Sequence, residues 1–464
     1  MSTGLFSEFD KVTAKQWKQK IQVDLGGEDY NKTLIWNSAD GIDVKPFYHP
    51  EESPEAFRTA SNCGWNICEQ IYVVSSEKSN KRALTVLEKG AESLWFILPS
   101  EEIDLQVLFA GIPPKTPVYL DTRFLSEKFN ATLPDLISGK DLKIYLLTDI
   151  IGKLARTGNW FHNLTEDHTI LDKSLSLKDA ASLLSVNMDL YQNAGATIPQ
   201  QLAYGMAHAN EYFNHLNQPG SSSRAKELPM VFQVAVGPNY FFEIAKLRAL
   251  RILYRSLARE YGFNESCIIL ATPSKRNKTI YDYNVNLLRT VTECMSAVLG
   301  GADSICNLSY DVLFHKDNEF GSRIARNQLL ILKHESYFEK VANPAEGSYY
   351  IESLTQQFAD KSLEIFKNIE KGGGFLKQLK EGTLQRKIIE SARKEQEEFD
   401  RGNSILIGTN KYSNPQDRMK SEIELYPFLK KKVRKTLLSP ILERRLAENL
   451  EQERLKEEDK KAGS

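Results

Sequence analysis

The chain has 464 residues, a formal net charge of −1 at pH 7 and 41% hydrophobic residues. This apolar content excludes wholesale disorder, because it is enough for a sizeable core, and the near-zero charge gives no overall attraction to nucleic acid or an acidic membrane surface. The longest apolar runs are strand-like and far shorter than the ~20 residues of a membrane-spanning helix, so neither nucleic acid nor a membrane is expected as a partner.

Residues 1–56 are predicted to form an extended arm rather than a domain. The N-terminus lacks the charged start, apolar core and cleavage site of a secretory signal, which predicts a cytoplasmic protein. Apolar residues at helical spacing predict a helix over residues 13–25. Two β-prone runs, 32–36 and 42–48, flank Asp40-Gly41 and predict a β-hairpin.

The arm carries aromatic residues, among them Trp17 and Trp36, without an obvious core of its own. Such a segment exposes much apolar surface unless something covers it. The residues leave two alternatives open: the arm folds back onto its own chain, or it wraps a partner.

From residue 57 to residue 340, short apolar runs alternate with longer helical periods. Continuous apolar runs of strand length are typical of a parallel sheet covered on both faces. Repeated βα units over ~250 residues predict an α/β fold, a (β/α)8 TIM barrel. An eighth strand is not clear, and periodicity alone leaves a doubly wound sheet open. The predicted strands are residues 93–98, 118–121, 142–147, 183–186, 230–236, 267–271 and 304–308.

The helix predicted after residue 236 has a basic side and an apolar side. The basic side is either a solvated helix face, which we favour, or a place for phosphates to bind. Phe241 belongs to the apolar side, which is predicted to be buried. The basic residues are Arg248, Arg251, Arg255 and Arg259.

Residues 341–415 are predicted to form a helical closing segment. Helices are expected over 359–370 and 384–399, followed by a short strand over 404–408. Residues 416–464 form a charged tail, in which a basic cluster precedes a helix with a thin apolar seam. A solvated or partner-docked helix is favoured over a phosphate or nucleic-acid contact.

No motif for an independent active site is present: there is no G-x-S-x-G, Walker loop or G-x-G-x-x-G. The five cysteines are expected to be buried free thiols. His208, Glu211 and His215 share a helix face, but no fourth ligand is identifiable, so surface histidines are favoured over zinc. Lys275 and Arg276 follow a strand end and are predicted to form an exposed basic loop rather than a phosphate contact.

Four runs of sequence together resemble the barrel portion of coenzyme B12-dependent methylmalonyl-CoA mutase. They are LSVNMDLYQNAGA at residues 184–196, NYFFEIAKLRA at 239–249, EFGSRIARN at 319–327 and GSYYIESLT at 347–355. The resemblance covers about residues 30–412. It implies a TIM barrel with an extended N-terminal arm and a helical C-terminal extension.

The resemblance fails at the positions that carry the family's chemistry. Catalytic chains read S-x-S-G-Y-H-x-x-E-A-G-A in the first run, which places Asp189 at the Tyr position and Leu190 at the His position. R-x-Y-A-G-F aligns with residues 60–65 and puts Asn62 at its Tyr. Gln328 stands where R-I-A-R-N-T-Q has Thr. Because Leu cannot donate a hydrogen bond to a thioester carbonyl, the resemblance implies no catalytic residue in this chain.

The family's cobalamin site implies a C-terminal flavodoxin-like domain with D-x-H-x-x-G, whose His ligates cobalt. His334 is the last histidine of this sequence. The resemblance therefore implies no flavodoxin-like cobalamin domain here, no cofactor held through a histidine of this chain, and no metal.

The resemblance implies the small, non-catalytic (beta) subunit of a heterodimeric adenosylcobalamin-dependent mutase that interconverts succinyl-CoA and methylmalonyl-CoA. A catalytic large subunit would be its obligate partner, would hold adenosylcobalamin and the acyl-CoA substrate, and would be wrapped by the arm. Two alternatives are an acyl-CoA isomerase with a relocated active site and a mutase assembly factor. The second is weaker, since no nucleotide-binding loop is visible.

Overall fold

The computed structural model describes residues 8–52, 56, 64–137, 141–175, 180–218, 223–430 and 434–462. The N-terminal arm consists of α1 (Ala14–Asp24), α2 (Tyr30–Leu34) and a hairpin of β1 (Trp36–Asn37) and β2 (Asp43–Val44). Residues 32–34, predicted as strand, belong to α2, because the Asp29 side chain caps that helix at the Lys32 amide.

Nine parallel strands of the described chain form the barrel, in the order β7-β6-β5-β4-β3-β11-β10-β9-β8. Only residues 183 and 184 separate β7 from β8; β7 pairs with β6 and β8 with β9, so one run of chain closes the sheet. Because β7 and β8 share one position of the barrel, the nine strands fill eight positions. The predicted (β/α)8 TIM barrel is confirmed. The strands are β3 (Asn66–Tyr72), β4 (Ser93–Leu98), β5 (Pro117–Thr122), β6 (Lys143–Leu146), β7 (Ala180–Ser182), β8 (Ser185–Asn187), β9 (Met230–Val236), β10 (Cys267–Pro273) and β11 (Ser304–Cys306).

Helices surround the sheet, and a helical region follows it. Beyond β11 the described residues add helices and irregular chain but no second sheet. The first eight helices after the arm are α3 (Ser76–Glu88), α4 (Leu105–Leu108), α5 (Glu127–Ile137), α6 (Ile150–Thr157), α7 (Leu164–Ser174), α8 (Asp189–Ala194), α9 (Ile198–Leu216) and α10 (Arg224–Glu227). The others are α11 (Tyr240–Tyr261), α12 (Val285–Leu299), α13 (Glu319–Leu330), α14 (Tyr349–Lys371), α15 (Phe375–Lys380), α16 (Thr383–Asp400) and α17 (Glu448–Ala462).

β3 is the strand that sequence analysis misses most clearly. Its run NICEQIY contains Glu69 and Gln70, which interrupt the apolar pattern. Glu69 is nevertheless buried, because Arg326 lies 3.0 Å away and compensates its charge. The short strand predicted over 404–408 is wrong: these residues form turns, with an isolated bridge between Ile407 and Lys411.

Large side chains fill the inside of the barrel. Trp95, Tyr119 and Tyr145 belong to a cluster that is separate from the core under the helices. The ring of Tyr119 stacks on that of Tyr145, with centroids 4.8 Å apart, and its hydroxyl lies 2.8 Å from the Ser304 hydroxyl. The barrel interior is therefore a packed core rather than a channel.

The basic side of α11 is solvated at Arg259, as the sequence predicts, but not at Arg248 and Arg251. Arg248 is fully buried and lies 2.6 Å from Glu352 of α14, while Arg251 lies 2.8 Å from Asp303. Phe241 is 48% exposed, and its neighbour Phe242 is buried instead. The prediction fails because α14 packs against α11 and brings a matching carboxylate to it.

The charged tail, predicted to be solvated or docked on a partner, folds onto the chain's own barrel. Glu451 and Glu458 of α17 are buried. Glu451 accepts a hydrogen bond from the Ile280 amide at 2.9 Å and pairs with Arg445 at 2.6 Å. Glu458 accepts one from the Tyr281 hydroxyl at 2.5 Å. These charges are buried because each has a partner.

Four cysteines, at positions 68, 267, 294 and 306, are buried free thiols. Cys63 lies outside the described residues. Among the described helices, none combines the length and the apolar character needed to cross a bilayer.

Replacing Glu352 with Ala is expected to lower the free energy of unfolding by about 3–5 kcal/mol, because it leaves the buried Arg248 guanidinium without its carboxylate. Chemical denaturation of the purified chain measures this. Arg259→Ala, which removes an exposed pair on the same helix, is the matched control and is expected to leave stability unchanged. Equal stability of Glu352→Ala and the control would contradict the buried pair.

Candidate functional site

The carboxyl ends of the strands meet at one end of the barrel, here called the mouth, where barrel enzymes carry their catalytic groups. The degenerate run 184–196 reaches this mouth as the end of β8 followed by α8. α8 begins at Asp189 and is capped at its C-terminal end by Gly195. The φ of Gly195, 94°, is the left-handed conformation that glycine favours. The backbone of this run is regular, so its side chains decide what the site can do.

Leu190 offers no catalytic group. Its side chain is fully buried and belongs to the main hydrophobic core. A hydrocarbon in this position neither donates a hydrogen bond nor titrates, so acid–base chemistry and thioester binding both lack a group here.

Asp189 stands next to Leu190 with an unusual electrostatic environment. Its Oδ1 atom is buried and accepts no hydrogen bond from any described residue. Burial raises the pKa of Asp189 to about 6; the nearby Arg156 guanidinium lowers it and the Glu443 carboxylate raises it. A carboxyl group of this kind carries a charge at neutral pH that the fold compensates poorly.

Arg156 is a cation at the mouth that no sequence motif indicates. Its Nη1 atom donates to Glu443 at 2.5 Å, and its Nη2 atom donates to Asn187 at 3.3 Å. Asn193 Nδ2 donates to the same Glu443 carboxylate at 3.2 Å. Glu443 comes from the C-terminal segment, 250 or more positions away along the chain, so no local pattern could have indicated this cluster.

Asp149, at the end of β6, organises the backbone beneath this cluster. Its carboxylate accepts hydrogen bonds from the amides of Gly152 and Asn187, each at 2.8 Å, and from the Tyr212 hydroxyl at 2.8 Å. His208 Nε2 lies 2.9 Å from the same carboxylate. Burial alone would raise the pKa of Asp149, but the charge and hydrogen bond of His208 and these backbone donors lower it.

His208 is therefore a buried structural residue, not the surface histidine that the sequence predicts. Its Nδ1 atom lies 3.0 Å from the Tyr191 hydroxyl, while His215 contacts Asp172 at 2.8 Å. The described residues contain no group of three or more histidine, cysteine or acidic side chains placed to hold a metal ion.

Gln328 lies apart from the mouth cluster. Its side-chain amide donates to the Leu287 carbonyl at 2.8 Å and accepts from Asn307 at 2.6 Å. It thus links α13 to α12 and to the chain after β11. Asn62 lies outside the described residues.

The exposed basic loop predicted at residues 275 and 276 is half wrong. Lys275 is exposed, but Arg276 is buried. Its Nε atom lies 2.6 Å from Glu395 of α16, and its Nη1 atom donates to the Arg444 carbonyl at 2.7 Å. Two segments distant in sequence thus cover this side chain.

The hairpin of the arm folds back onto the chain's own barrel. Asp40 Oδ1 accepts a hydrogen bond from the Ile198 amide at 2.7 Å, Ile42 is fully buried, and the Trp36 ring stacks on Phe242 at 5.5 Å. Burial raises the pKa of Asp40 to about 6. Trp36 is nevertheless 53% exposed, close to the 49% of Trp17 in α1, whose ring centroid lies 6.2 Å from that of Phe47.

A cavity of about 710 Å³ lies between this hairpin, the mouth and α16. Its polar side chains include Asp40, Gln192, Gln201 and Glu243. Lys246 neutralises Glu243 at 2.5 Å and also donates to Gln201 at 3.2 Å. Lys246 thus compensates the charge of Glu243, whereas the Oε1 atom of Gln192 accepts no hydrogen bond from the described residues.

The family model for methylmalonyl-CoA mutase matches residues 137–460. The chain is 32% identical to the methylmalonyl-CoA mutase small subunit of Porphyromonas gingivalis, over 88% of this chain and 71% of that protein. It is 28% identical to the methylmalonyl-CoA mutase of Rhizobium meliloti, over 86% of this chain and 64% of that protein. It is 27% identical to the methylmalonyl-CoA mutase small subunit of Streptomyces virginiae, over 88% and 72%. The chain thus spans only part of each relative.

Replacing Asp189 with Asn is expected to stabilise the chain at pH 7 by about 1–3 kcal/mol. The folded pKa of about 6 lies above the ordinary value, so the folded chain binds this proton more tightly. Stability is then lost as pH rises from about 4 to about 6, and the variant should lack that loss.

Urea denaturation at several pH values tests this expectation. Asp360→Asn, a substitution of the same kind on the exposed surface of α14, is the control. If Asp189→Asn were less stable than the unmodified chain at pH 7, the described environment of Asp189 would be incorrect.

Proposed function

The chain belongs to the methylmalonyl-CoA mutase family, and within it we propose that this chain is the small, non-catalytic subunit of a heterodimeric adenosylcobalamin-dependent mutase. The observation that carries the proposal is Leu190, which is buried in the hydrophobic core where the catalytic pattern has His. Asp189, beside it at the Tyr position of the pattern, carries a charge where a neutral hydrogen-bond donor is needed. In this proposal Asp189, Leu190, Gln328 and Asn62 are degenerate positions.

The space at the mouth supports the same proposal. Trp95, Tyr119 and Tyr145 fill the barrel interior, and residues 437–447 cross the mouth with hydrogen bonds to the elements after β6, β8 and β10. A radical rearrangement of a thioester needs a closed pocket large enough for substrate and cofactor. The side chains of the described residues fill the barrel interior instead, and the cavity of about 710 Å³ lies outside it, against the hairpin, α8, α9 and α16.

The described residues do not fit adenosylcobalamin. His208 is buried between Asp149 and Tyr191. His334 follows Lys333, which binds the Trp65 carbonyl just before β3 and therefore lies at the opposite end of the barrel. His315, in the chain after β11, contacts Asp311 at 3.1 Å through Nδ1 and does not stand in a D-x-H-x-x-G sequence. We derive no reaction step through cobalamin in this chain.

The proposed partner is a catalytic large subunit, in an obligate heterodimer that interconverts succinyl-CoA and methylmalonyl-CoA. That subunit would hold both adenosylcobalamin and the acyl-CoA substrate. The proteins of Porphyromonas gingivalis and Streptomyces virginiae that resemble this chain are both named small subunits, which supports this assignment. We place the complex in the cytoplasm, in keeping with the four free thiols.

The hairpin and α1 of the arm make different contacts in this proposal: one with the chain's own barrel, the other with the large subunit. The hairpin packs on the chain's own barrel, while α1 leaves Trp17 and Val23 exposed, at 49% and 73%. Contiguous apolar surface marks interaction sites, and in this proposal the two side chains belong to such a surface. We assign α1, rather than the whole arm, to the contact with the large subunit.

Co-expression with a catalytic large subunit of the same organism is expected to give one stable 1:1 complex, measured by native mass spectrometry. Such a permanent pair should bury more than about 2,000 Å². Trp17→Ala is expected to weaken the complex, whereas Trp36→Ala, whose ring lies on the chain's own Phe242, is the matched control and should affect the fold of this chain instead.

The alternatives are separated by turnover and by binding kinetics. Purified chain alone, given adenosylcobalamin and methylmalonyl-CoA, is expected to be inactive. Turnover without a second polypeptide would instead establish an isomerase with a relocated site. A transient, nucleotide-dependent complex would identify an assembly factor, and either result would overturn the proposed role.

A further inference from the structure

The C-terminal segment 434–447 is bound at the mouth like a ligand rather than lying loosely over it. Its amides at Leu437, Ile441, Arg444 and Leu446 donate to the carbonyls of Gly158, Ala155, Asn193 and Arg276, at distances of 2.8 to 3.1 Å. These acceptors follow three different strands, β6, β8 and β10. One segment therefore ties together α6, α8 and the loop after β10.

The centre of this contact is an anion site. Glu443 receives two hydrogen bonds, from Arg156 at 2.5 Å and from Asn193 at 3.2 Å. Arg156 also donates to Asn187 at 3.3 Å. Another carboxylate near this guanidinium, that of Asp189, has a buried oxygen without a described donor. Arg156 is thus paired with Glu443 through geometry that Asp189 does not provide.

The site has access to solvent on one side. A cavity of about 280 Å³ lies against Arg156 and Glu443, and its remaining charged lining includes Lys275, Lys430 and Arg444. The side chains of Arg156 and Glu443 are 31% and 36% exposed. A small anion in solution could therefore reach the guanidinium if the Glu443 carboxylate were removed.

We propose that segment 434–447 is a built-in ligand of the barrel mouth, with the Glu443 carboxylate occupying a carboxylate-binding site formed by Arg156 and Asn193. Because this ligand is part of the chain, its effective concentration is in the millimolar range or higher. The segment is also held by its four backbone hydrogen bonds, so a free carboxylic acid does not displace it from the intact chain. The inference concerns the chain alone and does not depend on the proposed partner.

The test is chemical rescue of Glu443→Ala by acetate, which supplies the missing carboxylate. The melting temperature of the variant is expected to lie below that of the unmodified chain, and 100 mM sodium acetate should raise it by about 2 °C relative to sodium chloride of equal ionic strength. The unmodified chain should show no such difference between the two salts.

Two further variants identify the site. Leu442→Ala, an exposed neighbour on the same segment, keeps Glu443 and should not respond to acetate. The double variant Glu443→Ala/Arg156→Gln lacks the cation and should also fail to respond. An equal acetate response in the unmodified chain, or a response that survives in the double variant, would overturn the inference.

Should Glu443→Ala fail to fold, Glu443→Gln keeps the shape of the side chain while removing its charge. Hydrogen exchange at residues 437–447 is then expected to be at least about tenfold faster than in the unmodified chain. Unchanged exchange there would show that the carboxylate does not hold the segment. Each of these measurements uses this chain alone. A negative result would therefore count against the inference about segment 434–447 and would leave the co-expression test of the heterodimer unaffected.

Discussion

The carboxylate of Asp149 is the interaction on which the barrel mouth depends. Its hydrogen bonds reach the amides of Gly152 and Asn187, the Tyr212 hydroxyl and the His208 ring, and so join the ends of β6 and β8 to α6 and α9. A buried carboxylate is stable only when such donors surround it. The same bonds fix the backbone of residues 187–190 independently of the side chains of Asp189 and Leu190.

In the rest of the molecule, too, the contacts that hold the fold together are separate from the side chains at the mouth. Charged pairs that link neighbouring helices and loops, such as Arg248 with Glu352 and Lys278 with Glu293, are fully buried and closely matched. At the mouth, by contrast, Leu190 is buried in the hydrophobic core and the chain's own C-terminal segment is hydrogen-bonded to the elements after β6, β8 and β10. A subunit in the proposed structural role needs the buried charged pairs that stabilise its fold, and it does not need an open site.

The sequence predicts the barrel because its strands are locally recognisable: β9 is buried at all seven positions and is apolar at each of them except Gln233. β3 is missed because the charge of Glu69 is compensated by Arg326, more than 250 residues away. The mouth follows the same rule. Leu190 and Asp189 are visible as departures from a pattern, whereas the role of Arg156 depends on Glu443, and that of Arg276 on Glu395. Pairing across long sequence separations leaves no local signal.

The cobalamin content of the purified two-chain complex, determined from its absorption spectrum and protein mass, tests the central claim most directly. A scaffold subunit beside a catalytic one predicts one adenosylcobalamin for every two chains, and none on this chain when it is purified alone. Two cofactors per complex, or one on the isolated chain, would contradict the view that this barrel holds its partner without taking part in the chemistry.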